Sequence, residues 1–110
     1  MDKKNQYLNP NVDIFEAEKE ITLIIDLAGV PPEALDIQVN GDILSILGTF
    51  DQSLQNILGE SGISAYKREF TLSKELDTNC IKADLKNGVL QLVLTKFAKP
   101  SARKIEVRVI

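Results

Sequence analysis

The sequence predicts an all-β sandwich of about seven antiparallel strands, and three observations carry that expectation. Residues 81–94 form two short alternating runs around Asn87 and Gly88, the pair that most readily takes the two positive φ angles of a tight hairpin turn. Asn40 and Gly41 repeat the arrangement between the run Leu35, Ile37, Val39 and the run at 43–47. Further period-two runs recur along the chain between turn signals, at a spacing suited to two stacked sheets. In the 81–94 hairpin, Ile81, Ala83 and Leu85 share one face of the first strand, and Leu90, Leu92 and Leu94 one face of the second. Such a hairpin needs a second layer to cover its apolar side, and the rest of the chain supplies it.

Taken in order, residues 1–10 are polar and end in Asn9-Pro10, which reads as a flexible lead-in and a domain edge. Val12 and Ile14 then open the alternation. The polar stretch 16–20 reads as a hairpin connection, although Ala17-Glu18-Lys19-Glu20 also suits a helix. Ile21, Leu23, Ile25 and Leu27 follow at period two, with Ile24 on the opposite face, so this strand is expected to be partly covered on both sides. Gly29, Pro31 and Pro32 end it, because proline lacks the ladder donor and glycine frees the backbone.

Residues 51–65 lack a clean period and hold Gly59 and Gly62, so they read as a long loop, with a possible short strand at Asn56, Ile57 and Leu58. Alternation resumes at 66–72, where Tyr66, Arg68 and Phe70 face away from Lys67, Glu69 and Thr71. Residues 73–79 read as a polar connection with a helical turn capped by Ser73. After Leu94 the chain turns basic and proline-broken, then closes on Ile105, Glu106, Val107, Arg108, Val109 and Ile110.

Composition narrows the function classes. At 110 residues the chain has the size of one domain with one core. A net charge of -3 argues against nucleic acid as the main partner. No apolar run approaches the roughly 18 residues that span a bilayer, so no membrane association is expected. The opening residues lead into no hydrophobic signal core, which points to the cytoplasm. Histidine is absent and Cys80 is the only cysteine, so His-based triads, His-ligated metals, internal disulfides and thiolate clusters are excluded. There is no Gly-x4-Gly-Lys-Ser/Thr phosphate loop. An enzyme is therefore not expected, and no cofactor or metal is.

Several residues carry a resemblance to a known family. Ala83 followed by Asn87-Gly88-Val89-Leu90 resembles the signature of the alpha-crystallin domain of small heat-shock proteins. Residues 11–16 are similar to that family's opening strand, and Asp26-Leu27-Ala28-Gly29-Val30 to its Asp-Leu-Pro-Gly-Val-like motif. Tyr66, Arg68 and Phe70 match its aromatic-x-Arg-x-Phe strand, and Ile105-Glu106-Val107 resembles its C-terminal Ile-x-Ile/Val motif. The resemblance covers nearly everything from Pro10 to Val107, with Ala28 and Thr95 standing where the family commonly has proline.

The resemblance implies an immunoglobulin-like sandwich (residues 11–97) between a short N-terminal segment (1–10) and a C-terminal extension (98–110). It implies an ATP-independent chaperone, a holdase that keeps partly unfolded clients from aggregating. Leu35, Ile37 and Val39 would lie on one edge strand, and Ile81, Ala83 and Leu85 on the other. Between them would run an apolar groove that takes the anchor residues Ile105 and Val107. Homodimers are implied, with an interface drawing on Arg68, Asn56, Ile57, Leu58, Val12 and Ile14. The reduced N-terminal arm suggests dimers or small or hetero-oligomers. The alternative is an interaction module without holdase activity, either a co-chaperone of the p23 type or a partner subunit of longer relatives. Beside these readings, Cys80 reads as the start of a strand, facing away from Ile81 and without a redox role, and the basic stretch 96–108 as a solvated tether. Ile24, Leu47 and Val93 read as satellite core.

Overall fold

The computed structural model describes residues 6–58, 62–98 and 105–110. Its strands are β1 (Gln6–Leu8), β2 (Val12–Glu16), β3 (Glu20–Asp26), β4 (Leu35–Asn40), β5 (Ile43–Thr49), β6 (Ile63–Thr71), β7 (Leu76–Lys86) and β8 (Val89–Lys96). One helix, α1 (Gln52–Leu58), links β5 to β6. Two four-stranded sheets form, in the orders β1-β6-β5-β4 and β2-β3-β8-β7. Every strand pairing is antiparallel except that of β1 with β6, which is parallel.

Alternation decides which faces meet. Leu23 and Ile25 on β3, Leu44 and Ile46 on β5, and Leu90, Leu92 and Leu94 on β8 are all buried and form one cluster with Leu27, Phe50, Leu72 and Leu76. Burial of apolar area at about 25 cal/mol per Å² makes this shared layer the main driving force of the fold. Ile24, Leu47 and Val93, on the opposite faces of their strands, are half-buried. The β7–β8 hairpin turns as the sequence indicates, with φ of 51° at Asn87 and 75° at Gly88. Leu27 N donates to Gly88 O at 2.7 Å. A Cβ at Gly88 would lie 3.2 Å from Ala28 Cα, so the close approach and the positive φ together favour glycine. The β4–β5 turn is shifted by one residue: Asn40 pairs with Ile43 as the last residue of β4, and Gly41 takes the positive φ. Residues 17–19 make a hairpin connection rather than a helix, closed by Ala17 N donating to Glu20 O at 2.8 Å.

Three expectations are corrected. The 51–65 stretch is not a structureless loop, and Asn56, Ile57 and Leu58 are helical rather than a short strand. Asp51 caps the helix through its side-chain oxygen, 2.8 Å from Leu54 N, and its carbonyl accepts from Gln55 N at 3.0 Å. Leu54 and Leu58, one helical turn apart, pack on the core, so the 3.6-residue period prevails over the two-residue one. Ser73 does not cap a helical turn. Its Oγ accepts from Glu75 N at 3.2 Å in a turn, and β7 starts at Leu76, with a register shift between Leu76 and Ile81. Finally, Gln6–Leu8 is a strand rather than a free lead-in, and Pro10 is buried. Residues 1–5 of the expected lead-in, and 99–104 of the expected extension, lie outside the described residues.

Candidate functional site

The two candidate groove strands are outer strands, β4 of one sheet and β7 of the other. On β4, Leu35, Ile37 and Val39 are half-buried and stand opposite Gly48, Ile46 and Leu44 of β5. On β7, Ile81 and Leu85 are half-buried and Ala83 is exposed, opposite Leu94, Leu90 and Leu92 of β8. All but Ala83 pack against the same core cluster. Each row is thus the rim of one apolar layer, and each strand has a second edge with no strand neighbour among the described residues. Asp36, Gln38 and Asn40 on β4, and Lys82, Asp84 and Lys86 on β7, are exposed on the alternate positions. Residues 105–110 belong to no strand; Ile105 and Val107 are 83% and 87% exposed. Unpaired strand edges lined by half-buried apolar side chains are open to recognition by strand addition.

The residues expected at a dimer interface fall on three elements, β2, β6 and α1. Val12 is half-buried and Ile14 exposed on β2, the outer strand of its sheet. Arg68 sits on β6 of the other sheet, half-buried, with Nη1 donating to Asn9 Oδ1 at 3.1 Å and its guanidinium 5.4 Å from the centre of the Phe70 ring. On α1, Asn56 Oδ1 accepts from Gln52 Nε2 at 3.0 Å, Ile57 is exposed and Leu58 is half-buried. Three further residues stand beside these positions and were not singled out from the sequence. Phe15 is 61% exposed beside Ile14 at 59%, on the strand whose alternation was legible. Tyr7 lies under the Lys67 ammonium at 5.3 Å, and Asn9 holds Arg68. Nothing local to residues 6–9 signals those contacts, which span about sixty positions of chain.

A family model for the Hsp20/alpha crystallin family matches residues 13–108. This chain belongs to that family. A probable 15 kDa heat shock protein from Leptospira interrogans is 42% identical over 104 residues, which cover 92% of this chain and 79% of that one. A small heat-shock protein from Xylella fastidiosa, whose crystal structure is described as revealing a distinct high order structure, superposes with a TM-score of 0.73. It is 30% identical, over 94% of this chain and 99% of that one. The hspA of Xanthomonas axonopodis is 31% identical with a TM-score of 0.67, covering 83% of this chain and 96% of that one. The sandwich described above is therefore the alpha-crystallin fold, and the matched span includes both Ile105 and Val107.

Cys80 is exposed, but hydrogen bonding to the Asp77 carboxylate and that carboxylate's negative charge push its thiol up, against a smaller opposing effect of Lys82. A raised thiol carries little thiolate at neutral pH and is a weak nucleophile. No cluster of three or more acidic, cysteine or histidine side chains suited to a metal occurs among the described residues. Among them, too, no helix is long and apolar enough to cross a membrane.

Proposed function

We propose that this protein is an ATP-independent holdase that binds partly unfolded proteins through the rim of its sandwich. The observation that carries the reading is the pairing of two free, apolar-lined edges, β4 and β7, with an exposed apolar tail at 105–110. Leu35, Ile37 and Val39 on one side, with Ile81, Ala83 and Leu85 on the other, form the groove. Ile105 and Val107 anchor in it when no client is bound. Burying two such side chains contributes at most about 1.5–3 kcal/mol each, and losses on ordering the tail reduce that. Docking is therefore reversible, and an extended apolar segment of a client competes for the same edge.

Homodimers, and assemblies built from them, complete the reading. The open edge of β2 offers Val12, Ile14 and Phe15 to a second copy, while Arg68 and the exposed Ile57 of α1 supply contacts from the other sheet. Two measurements test the proposal. Light scattering of a heat-denaturing client should fall as this protein is added; scattering unchanged at molar excess overturns the holdase reading. Native mass should drop when the chain is cut before Lys104; an unchanged mass overturns tail anchoring between copies.

A further inference from the structure

Two turns built on the same dipeptide fold in different ways, and the difference has a chemical consequence. Asn40 and Asn87 are each followed by glycine, and both are exposed. At Asn87 both central turn residues have positive φ, 51° and 75°, the geometry of a type I′ turn. At Asn40 the backbone is still extended, as the last pair of β4 with Ile43, and Gly41 alone is positive, at 62°. That is a type II′ turn, with glycine at its first central position. An asparagine followed by glycine is open to attack on its side chain by the glycine amide nitrogen, because glycine has no Cβ to hinder a close approach. We propose that Asn40 is a site of spontaneous deamidation in the folded protein, and that Asn87 is protected by its turn.

The step needs only water. Gly41 N loses its proton to hydroxide and bonds to Asn40 Cγ; the bond from Cγ to the side-chain nitrogen breaks, ammonia leaves, and a succinimide ring closes. Water then opens the ring at either carbonyl. Opening at Cγ gives aspartate, and opening at the main-chain carbonyl gives isoaspartate, whose main chain runs through Cβ and Cγ. Ring closure requires the glycine nitrogen to eclipse Cβ about the Cα–C bond. That rotation is about 105° from the extended backbone of Asn40 and about 165° from the left-handed backbone of Asn87. At positive φ it also passes through backbone space that essentially only glycine occupies. The surroundings act in the same direction. Asn40 ends an outer strand, where pairs open at least cost, and a Cβ at Gly41 meets nothing within 4 Å. Gly88 is latched instead: its carbonyl accepts from Leu27 N at 2.7 Å, and a Cβ on it would lie 3.2 Å from Ala28 Cα. Asp42 O accepts from Leu72 N at 2.6 Å, but that bond anchors the far side of the turn and leaves the Asn40–Gly41 linkage free to rotate. The other described asparagines precede Pro10, Val12, Ile57 and Cys80, whose ring or side chains obstruct the same attack.

Deamidation adds a carboxylate at the end of β4, on a stretch that already carries Asp36 and Asp42. The isoaspartyl product also lengthens the main chain by one methylene beside the Val39–Leu44 pair. The modification stands whether or not the protein is a holdase. Its test follows the full chain at physiological temperature in mildly alkaline buffer, folded and in urea, with each Asn-Gly peptide resolved by mass after a mildly acidic digest. An isoaspartyl methyltransferase with a labelled methyl donor separates isoaspartate from aspartate. In the folded chain Asn40 should convert about tenfold faster than Asn87, the kind of gap that separates a fraying strand end from a docked turn. In urea the two rates should agree within about twofold, because neither turn persists. The rate at Asn40 should rise with pH, as attack by a deprotonated amide demands. G41A, shown by far-UV circular dichroism to be folded, should suppress conversion at Asn40 and leave Asn87 unchanged. Equal rates at the two sites in the folded chain, or faster conversion at Asn87, overturn the proposal. A gap that persists in urea does the same, since the turns would not be its cause, and so does a folded chain that keeps Asn40 intact while the unfolded chain loses it.

Discussion

Replacing Gly29 by alanine tests whether α1 is seated on the sandwich as described. Gly29 has φ of 83°, a conformation in which an L-residue costs about 1–2 kcal/mol. A Cβ there would lie 2.6 Å from Leu54 Cδ2, so that methyl, the free end of a flexible side chain, must shift. The neighbouring backbone cannot drift away freely, because Asp51 N donates to Gly29 O at 2.7 Å. Leu54 is half-buried, so even complete loss of its packing adds at most about 1 kcal/mol, roughly half the value for full burial. The total for G29A is the backbone cost plus up to about 1 kcal/mol from Leu54, at most about 3 kcal/mol. Gly41 provides the comparison: its φ is 62° but a Cβ there meets nothing within 4 Å, so G41A should cost only about 1–2 kcal/mol. Urea unfolding followed by far-UV circular dichroism, at one fixed protein concentration because assembly adds stability, measures both. Adding L54A to G29A removes the collision, so the double variant should be less destabilised than the sum of the two by about 1 kcal/mol. If G29A costs no more than G41A and adds fully to L54A, then Leu54 does not hold α1 over Gly29.

Leu92 is fully buried at the centre of β8, between β3 and β7; L92A should cost about 2–5 kcal/mol, seen as a lowered urea midpoint with an unchanged slope. Cys80 should react slowly with a maleimide at neutral pH, because Asp77 holds its thiol above the usual range. D77N removes the charge that raises it, so the rate-against-pH profile should move to lower pH; an unmoved profile would show that Asp77 has no hold on the thiol.

Much of this protein was legible from residue order because strands announce themselves at short range. The runs at 21–27, 43–47 and 90–94 alternate, and every second residue turned out to face the core. Asn87-Gly88 dictated its own turn, since only such a pair takes two positive φ angles readily. The helix at 52–58 was present in the sequence as Asp51 followed by Leu54 and Leu58, but two apolar residues are too few to outweigh the nearby glycines. Its helical form follows from the core surface on which those leucines land. The parallel β1–β6 pairing was not legible: three residues hold too little pattern, and their partners lie some sixty positions away.

Residue order alone thus determined most of the strands, the Asn87-Gly88 turn, the inward faces and the family likeness, because each depends on neighbours within a few positions. Tertiary structure alone decided that β1 pairs with β6 in parallel, that Arg68 meets Asn9, and that Ile14 and Phe15 are exposed, while the edge positions of β4 and β7 were expected only through the family likeness. Those outcomes depend on which strand lies beside which. Edges are properties of a finished sheet, and local periodicity contains no information about where a sheet stops.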